Sequence, residues 1–234
     1  KPTSLLLHLH SGKAVAVTTD KTEINIDSDI KIILLSPNEN NLKDLGEEWI
    51  DEMRGKGYLN HIGENSTFDE ALEAIMRTEE IMIKDFEIET SSEDTNIEEY
   101  FKVNESEDYK NFSEDYSVTN GSSIAFIIEY KGAKLLFLGD SHPSIIEENL
   151  IKAYPEIEKT SMYFSAIKVS HHGSKFNTNN SLLKLVDSPN YLISTNGKKF
   201  KHPDLEALVR IVKRPIKNFD EDINFLQRNL IFNQ

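Results

Sequence analysis

The chain has 234 residues, with 40 Asp and Glu against 26 Lys and Arg and a formal charge of −14. That balance argues against a surface that coats nucleic acid along its length, while leaving room for a local basic site. There is no cysteine, which excludes disulfides and thiolate-held metals, and no apolar run approaches the length needed to cross a membrane.

Residues 4–35 read as strands. Ser4–Leu9, Ala14–Thr18 and Ile30–Leu35 are rich in Leu, Val and Ile, and Ser11-Gly12 supplies a turn between the first two. The opening KPTSLLLHLHSG has one cation and a short apolar run with no small-residue cleavage site, so it does not read as a signal peptide. Ser36-Pro37-Asn38 closes the third strand. Asn41–Met53 then places Leu42, Leu45, Trp49 and Met53 on one helical face, with Gly55 and Gly57 behind it. Phe68–Phe86 has a helical pattern through Leu72, Ile75 and Met76. Glu87–Asp115 is crowded with Asp and Glu and poor in apolar residues. It reads as a mobile insertion or lid whose charge cannot support a core.

From Ser122 the pattern sharpens. Ser123–Tyr130 and Lys134–Leu138 flank Lys131-Gly132-Ala133 and predict a β-hairpin. Ser144-Ile-Ile-Glu147 has the form of a capping box and opens a helix that Pro155 stops. Tyr163–Val169 reads as a strand, Asn180–Val186 as a short helix and Tyr191–Thr195 as a strand. His202-Pro203-Asp204 leads into a helix with Leu205, Leu208, Val209 and Val212 facing inward. Strand followed by helix, three times over, predicts an α/β layer. The organisation expected is strands and a helix over 1–58, an acidic insertion over 59–118, and a motif-bearing half-domain over 119–234.

The residues that carry chemistry concentrate between Leu135 and Asp204. LLFLGDSHP, IKVSHHGS and STNGKKFKHPD each start from a short apolar run and end in Asp or His. A strand buried in a sheet holds the backbone still while the residue after it projects into a cleft, where binding and catalytic groups gather. Asp140 follows Gly139, which lets the chain turn. Its carboxylate can bridge cations or complete a His-rich site, or it can cap a turn. His171 and His172 are adjacent, so one imidazole can share a cleft with Asp140 while the other orients it or touches substrate. Gly173 permits close approach. Lys175, Lys198, Lys199 and Lys201 form a cationic group around His202 inside an acidic chain. That inversion of sign suits a phosphate-bearing substrate; ordinary solvated lysines are the competing account. His142, two residues after Asp140, is a ligand, an acid or a loop residue.

LLFLGD, IKVSHHGS and TNGKKFKHPD, in that order, resemble the C-terminal half of a metallo-β-lactamase-fold hydrolase. The likeness is to the branch with a His-His-Gly-Ser motif, which includes the nuclease-like domains of DNA-uptake proteins. Upstream, IKIILLSPNENNLKDLGEEW is similar to the strand–Ser-Pro–helix segment of a bacterial subgroup of that family, and NGSSIAFIIEYKGAKLLFLGD to the hairpin before its metal-bridging Asp. The resemblance implies a four-layer αββα sandwich with a dinuclear metal site between the sheets, of which this chain holds the C-terminal half. It matches Asp140 to the bridging carboxylate, His171 or His172 to the late metal-binding histidine and His202 to an active-site histidine. Metal ligation and catalysis are thus expected of Asp140, His171, His172 and His202. Substrate contact is expected of Ser174, Lys175, Asn196, Lys198, Lys199 and Lys201. The implied cofactor is a pair of Zn²⁺ ions, or Mn²⁺, activating water for hydrolysis.

The family's principal ligand motif, His-x-His-x-Asp-His, is missing. His8-Leu9-His10 has its first spacing but continues Ser-Gly-Lys-Ala and reads as strand. The expected partner is therefore the N-terminal half of the same fold, as a separate, cleaved or removed segment, with a regulatory or protease partner alongside; a metal-free relative is the remaining explanation. The function expected is metal-dependent hydrolysis of a phosphodiester in DNA or RNA by a cytoplasmic bacterial protein, of the kind found in defence systems. The alternatives are a non-catalytic subunit complemented by a partner chain and a hydrolase of small esters or lactones, since fold does not fix substrate.

Overall fold

The computed structural model describes residues 16–17, 22–55, 102–103, 106–195, 201–214 and 228–233. The expected strand Ser4–Leu9, most of Ala14–Thr18 and the expected helix Phe68–Phe86 lie outside the described residues. Packing separates Lys43–Glu93 from a unit made of Lys1–Leu42 and Asp94–Gln234.

Its frame is a seven-stranded mixed sheet. In chain order the strands are β1 (Glu23–Asn25), β2 (Ile30–Ser36), β3 (Ala125–Tyr130), β4 (Ala133–Phe137), β6 (Ala166–Lys168), β8 (Asn190–Ile193) and β9 (Asn229–Phe232), and that is also their spatial order. β5 (Met162–Tyr163) and β7 (Val186–Asp187) pair separately. β1 to β4 run antiparallel; β4, β6, β8 and β9 run parallel. The helices are α1 (Glu39–Gly55), α2 (Glu107–Lys110), α3 (Val118–Gly121), α4 (Pro143–Ala153), α5 (Asn180–Leu185) and α6 (Leu205–Lys213).

Local chemistry accounts for most boundaries. Asn38 and Asn41 cap the start of α1 reciprocally, each side chain accepting the other's backbone N–H at 2.9 and 3.3 Å. Lys131 and Gly132 both have positive φ, 48° and 86°, and form a two-residue turn whose twist matches the strands it joins. α4 starts two residues earlier than the expected capping box, with Ser144 as N-cap, would place it. His142 is its N-cap and Pro143 its first residue. The Ser144 N–H and hydroxyl both reach the Glu114 carboxylate at 2.8 Å, and Glu147 accepts instead from Asn179. The expected strand Tyr163–Val169 is two strands, because Phe164 turns fully into the core between them and its N–H bonds Asp187 rather than the large sheet.

Side-chain alternation gives the sheet two different faces. Ile33, Ile127, Leu136, Ile167 and Tyr191 form one cross-strand row, each at most 2 % exposed. They share a core with Ile146 and Leu150 of α4, Leu182 and Leu183 of α5 and Ile211 of α6. The neighbouring row on the opposite face runs Leu34, Phe126, Phe137, Lys168, Leu192 and Ile231. Phe126 and Phe137 stack there at 5.0 Å, and every member except Leu34 retains solvent exposure. At the far end of the sheet, Asp187 pairs with Arg214 and Arg228 and accepts the Tyr191 hydroxyl at 3.2 Å. This buried ion group ties β7, β8, α6 and the residue before β9 together.

Candidate functional site

Because β4, β6 and β8 are parallel, the three motif-bearing segments leave the sheet at the same end, the position where open α/β sheets place ligands. β3 is antiparallel to β4, so it enters from that end and brings residues 115–123 with it.

The first segment is held by a turn that requires glycine. Gly139 has φ +55°, and a Cβ there would lie 2.6 Å from Ser123 Oγ and 2.7 Å from the Ile124 carbonyl oxygen. The Asp140 N–H bonds Ser123 Oγ at 3.0 Å, and Ser141 Oγ bonds the Ser123 carbonyl at 2.9 Å. The second segment locks onto the first: the His171 N–H donates to the Gly139 carbonyl at 2.9 Å, and Ser170 Oγ to the Ser141 carbonyl at 3.1 Å. The third meets the second at Gly173, where a Cβ would lie 2.7 Å from Pro203 Cβ and whose carbonyl accepts the Asp204 N–H at 3.0 Å.

Within this frame both His171 (φ 42°, ψ 52°) and His172 (φ 57°, ψ 18°) are left-handed. For a residue with a Cβ that conformation costs about 1–2 kcal/mol. Strain of this kind persists where surrounding bonds enforce it and clusters at functional sites. The bonds are present. The exposed His172 donates from Nδ1 to the Ser194 carbonyl at the end of β8. His171, 21 % exposed, places Nδ1 3.1 Å from Asn177 Oδ1 and 3.5 Å from Asp115 Oδ2. Its ring centre is 5.4 Å from that of His202 and 6.1 Å from that of His172. His202 Nδ1 lies 3.5 Å from Asp204 Oδ1.

Asp140, His171, His172 and His202 therefore lie on adjoining segments at one end of the sheet. Asp140 is half-buried, and its charge opposes the drop in the Lys168 pKa that burial causes. Ser174 is buried and its Oγ accepts the Phe176 N–H at 3.2 Å, so it shapes the loop. Lys175 Nζ lies 5.3 Å from the Phe176 ring centre and 3.7 Å from Glu206. Lys201 is exposed with φ 55°. Asn196, Lys198 and Lys199 lie outside the described residues. His142 packs its ring over α3, where a Cβ on Gly121 would come within 2.7 Å of Cε1, and its buried Nε2 finds no hydrogen-bond partner among the described residues.

The residue that sequence reasoning missed is Asp115. It ends a stretch whose composition reads as a solvated lid, yet residues 106–115 are fixed against the site. Asp115 Oδ1 accepts the Ser117 N–H at 2.8 Å; Oδ2 accepts from Asn120 Nδ2 at 2.7 Å and Asn177 Nδ2 at 3.2 Å. Its own N–H reaches the Phe176 carbonyl at 3.1 Å. Burial pushes its carboxyl pKa up, but those three donors, with the field of His142, bring it below the ordinary value. The available signal was local: Asp-x-Ser at 115–117 is an Asx turn before a short helix.

Imidazole and carboxylate donors suit Zn²⁺. Their number does not complete a site: among the described residues no group of three or more His, Asp or Glu is arranged to hold one ion. A cavity of about 540 Å³ bounded by Thr22, Asn38, Asn149 and Lys152 contains none of these histidines. Compared with protein-family models, curated proteins and solved structures, the chain matches none. Among the described residues no helix is long and apolar enough to cross a membrane.

Proposed function

We propose that this chain supplies one half of a metal-dependent hydrolase site, in a metallo-β-lactamase-type αββα arrangement, acting on a phosphodiester of DNA or RNA. The observation that carries the reading is the meeting of the Asp140 turn, the strained His171-His172 pair and His202 at the ends of three parallel strands. Asp140, His171 and His202 would be this chain's share of the ligand set, which they do not complete by themselves, with the exposed His172 facing substrate. A divalent ion bound there lowers the pKa of a bound water and neutralises charge on the phosphate. Lys201, with Lys198 and Lys199 beside it in sequence, is the choice for flanking phosphates.

The remaining ligands would come from a second half of the fold, since these 234 residues contain no His-x-His-x-Asp-His. The half-exposed row of Phe126, Phe137, Leu192 and Ile231, interrupted by Lys168, is a face on which a second sheet could pack, at about 10 Å. The incomplete donor set supports one further reading: a non-catalytic subunit whose site serves as an interface.

The test is hydrolysis of an activated phosphodiester and of single- and double-stranded DNA and RNA, with Zn²⁺ or Mn²⁺, by the full chain and by Asp140→Ala. The expected result is metal-dependent cleavage that falls at least about 100-fold in the variant, the scale on which loss of a charge-stabilising group acts. Equal cleavage by both proteins removes Asp140 from the chemistry. No cleavage by either is also what a half-site without its second half gives, and metal binding then decides: a divalent ion held by the folded parent chain and released in Asp140→Ala supports the half-site, and no ion held by the parent favours the interface reading.

A further inference from the structure

We infer that Asp115, acting through Asn177, is a positioning residue that holds the His171 imidazole with its hydrogen on Nδ1, leaving Nε2 as the atom that meets an ion or a proton of the substrate. The inference rests on the assignment of His171 to the site; it does not depend on which bond the site breaks.

The argument starts from Asn177, which is fully buried and must satisfy its amide inside the protein. Its Nδ2 faces two oxygens that can only accept, the Asp140 carbonyl at 3.1 Å and Asp115 Oδ2 at 3.2 Å. The reverse orientation would set Oδ1 against both, leaving Oδ1 and the Asp140 carbonyl facing acceptors while Asp115 Oδ2 keeps only its Asn120 donor; each buried acceptor left without a donor costs about 1–3 kcal/mol. The amide is therefore fixed with Oδ1 toward His171, 3.1 Å from Nδ1. An amide oxygen accepts and never donates, so Nδ1 carries the hydrogen. A neutral imidazole has one N–H, and the lone pair is left on Nε2.

Asn120 does not compete. Its Nδ2 lies 3.4 Å from His171 Nδ1, but its shorter contact is to Asp115 Oδ2 at 2.7 Å, and the ring nitrogen's shorter contact is to Asn177 Oδ1 at 3.1 Å, against 3.5 Å to Asp115 Oδ2. Asp115 thus collects donors from Asn120 and Asn177 on one oxygen while the Ser117 N–H holds the other. The result is a carboxylate–amide–imidazole relay. It does for His171 what a carboxylate bonded directly to a ligating histidine does elsewhere: it sets the tautomer and the ring orientation. It also joins the two motifs, because the same amide that orients His171 binds the Asp140 carbonyl.

The experiment is long-range ¹H–¹⁵N correlation of the histidine side chains in the ¹⁵N-labelled full chain, without added metal, at a pH where His171 is neutral. His171 is assigned by the loss of its signals in His171→Gln. The expected spectrum has a protonated Nδ1 and an unprotonated Nε2; the opposite pattern overturns the inference without any further variant. Asp115→Asn should then lower the ratio of Nδ1–H to Nε2–H forms at least tenfold, because Asn177 loses its anionic acceptor and is free to turn, whereas Asp115→Glu should restore it. A ratio unchanged in folded Asp115→Asn overturns the role of Asp115, since a merely structural residue would change the unfolding midpoint and leave the tautomer alone. The spectrum is read without turnover, so a failed hydrolysis assay and a failed tautomer assignment are separate results.

Discussion

Arg210→Met is expected to loosen the site before it unfolds the sheet. Arg210 is 2 % exposed on α6, and its Nη1 donates to the Lys175 carbonyl at 2.7 Å and the Thr178 carbonyl at 3.0 Å. Its guanidinium also lies 5.6 Å from the Tyr109 ring centre and 5.4 Å from that of Phe112. One buried cation thus fastens both the loop that carries Asn177 and the segment that ends in Asp115. Hydrogen bonds from a charged donor contribute about 1.5–3 kcal/mol each, and a partly buried cation–π contact about 1 kcal/mol. Methionine recovers the apolar packing of the stem and avoids desolvating a charge, which offsets part of that sum. A net loss of about 3 kcal/mol remains, and it falls on local opening of residues 106–117 and 174–178. Since 1.4 kcal/mol is tenfold, amide hydrogen exchange in those two segments should quicken about 100-fold, with β3 and β4 changing far less. Urea unfolding should show a lower midpoint with an unchanged slope. If the two segments exchange as slowly as in the parent chain, or if all elements quicken together, Arg210 is not the fastener.

Two other expectations follow from buried or clustered charge. Asp187→Ala leaves the guanidiniums of Arg214 and Arg228, 3 % and 7 % exposed, without their shared carboxylate. Removing one partner of a buried ion group costs about 3–5 kcal/mol, read as a drop in the denaturation midpoint, and a loss under about 1 kcal/mol would contradict the burial assigned to it. Glu129 gives a pH signature. Burial alone would raise its pKa, but Lys134 at 2.8 Å, Lys31 at 3.1 Å and the Tyr154 hydroxyl at 2.9 Å hold it at about 2 instead of 4.5. A depressed carboxylate stabilises the fold above its unfolded pKa and stops doing so as pH falls through the folded one. The shift corresponds to about 3 kcal/mol at full value, and solvent screening at this partly exposed cluster brings it to about 1–2 kcal/mol. The stability gap between the parent chain and Glu129→Gln should therefore be constant above about pH 5 and close as pH falls toward about 2; a gap that stays open through that window would contradict the assignment.

The sheet was legible where local chemistry and burial agree. Ile30–Leu35 and the two arms around Lys131-Gly132 are apolar β-formers bounded by turn residues, and they are strands β2, β3 and β4. The register of the hairpin follows from its two-residue turn. The start of α4 lies two residues earlier than the capping box implies, with His142 and not Ser144 as N-cap, because the Ser144 N–H and hydroxyl are taken by Glu114, thirty positions away, and no local pattern carries that. β9 was not legible, since Asn-Leu-Ile-Phe is short and its place beside β8 depends on Arg228 reaching Asp187. Asp115 was hidden for a related reason. Composition describes the average of a segment, and Glu87–Asp115 is acidic on average. Its last residues are held by Tyr109, Phe112 and Glu114 through contacts to α6 and α4, which make the final carboxylate a largely buried acceptor, 14 % exposed, and not a solvated one.

The strongest physical reason to treat this end of the sheet as more than a turn is the pair His171-His172 itself. A turn of this shape needs two residues with positive φ, and Gly would adopt both conformations without a Cβ penalty. Two imidazoles there cost about 2–4 kcal/mol in backbone strain. One neutral hydrogen bond from each ring returns about 1 kcal/mol apiece. The bonds to Asn177 and Ser194 therefore do not cover the strain unless other contacts add to them, and the turn is less stable than its glycine counterpart by up to about 2 kcal/mol. A conformation that the backbone resists, held by groups that engage Nδ1 of each ring, fits the association of backbone strain with functional sites. What that leaves open is the other ring nitrogen, at the ends of parallel strands, on a turn whose His171 N–H is bonded to the carbonyl of Gly139, a glycine that no larger residue could replace.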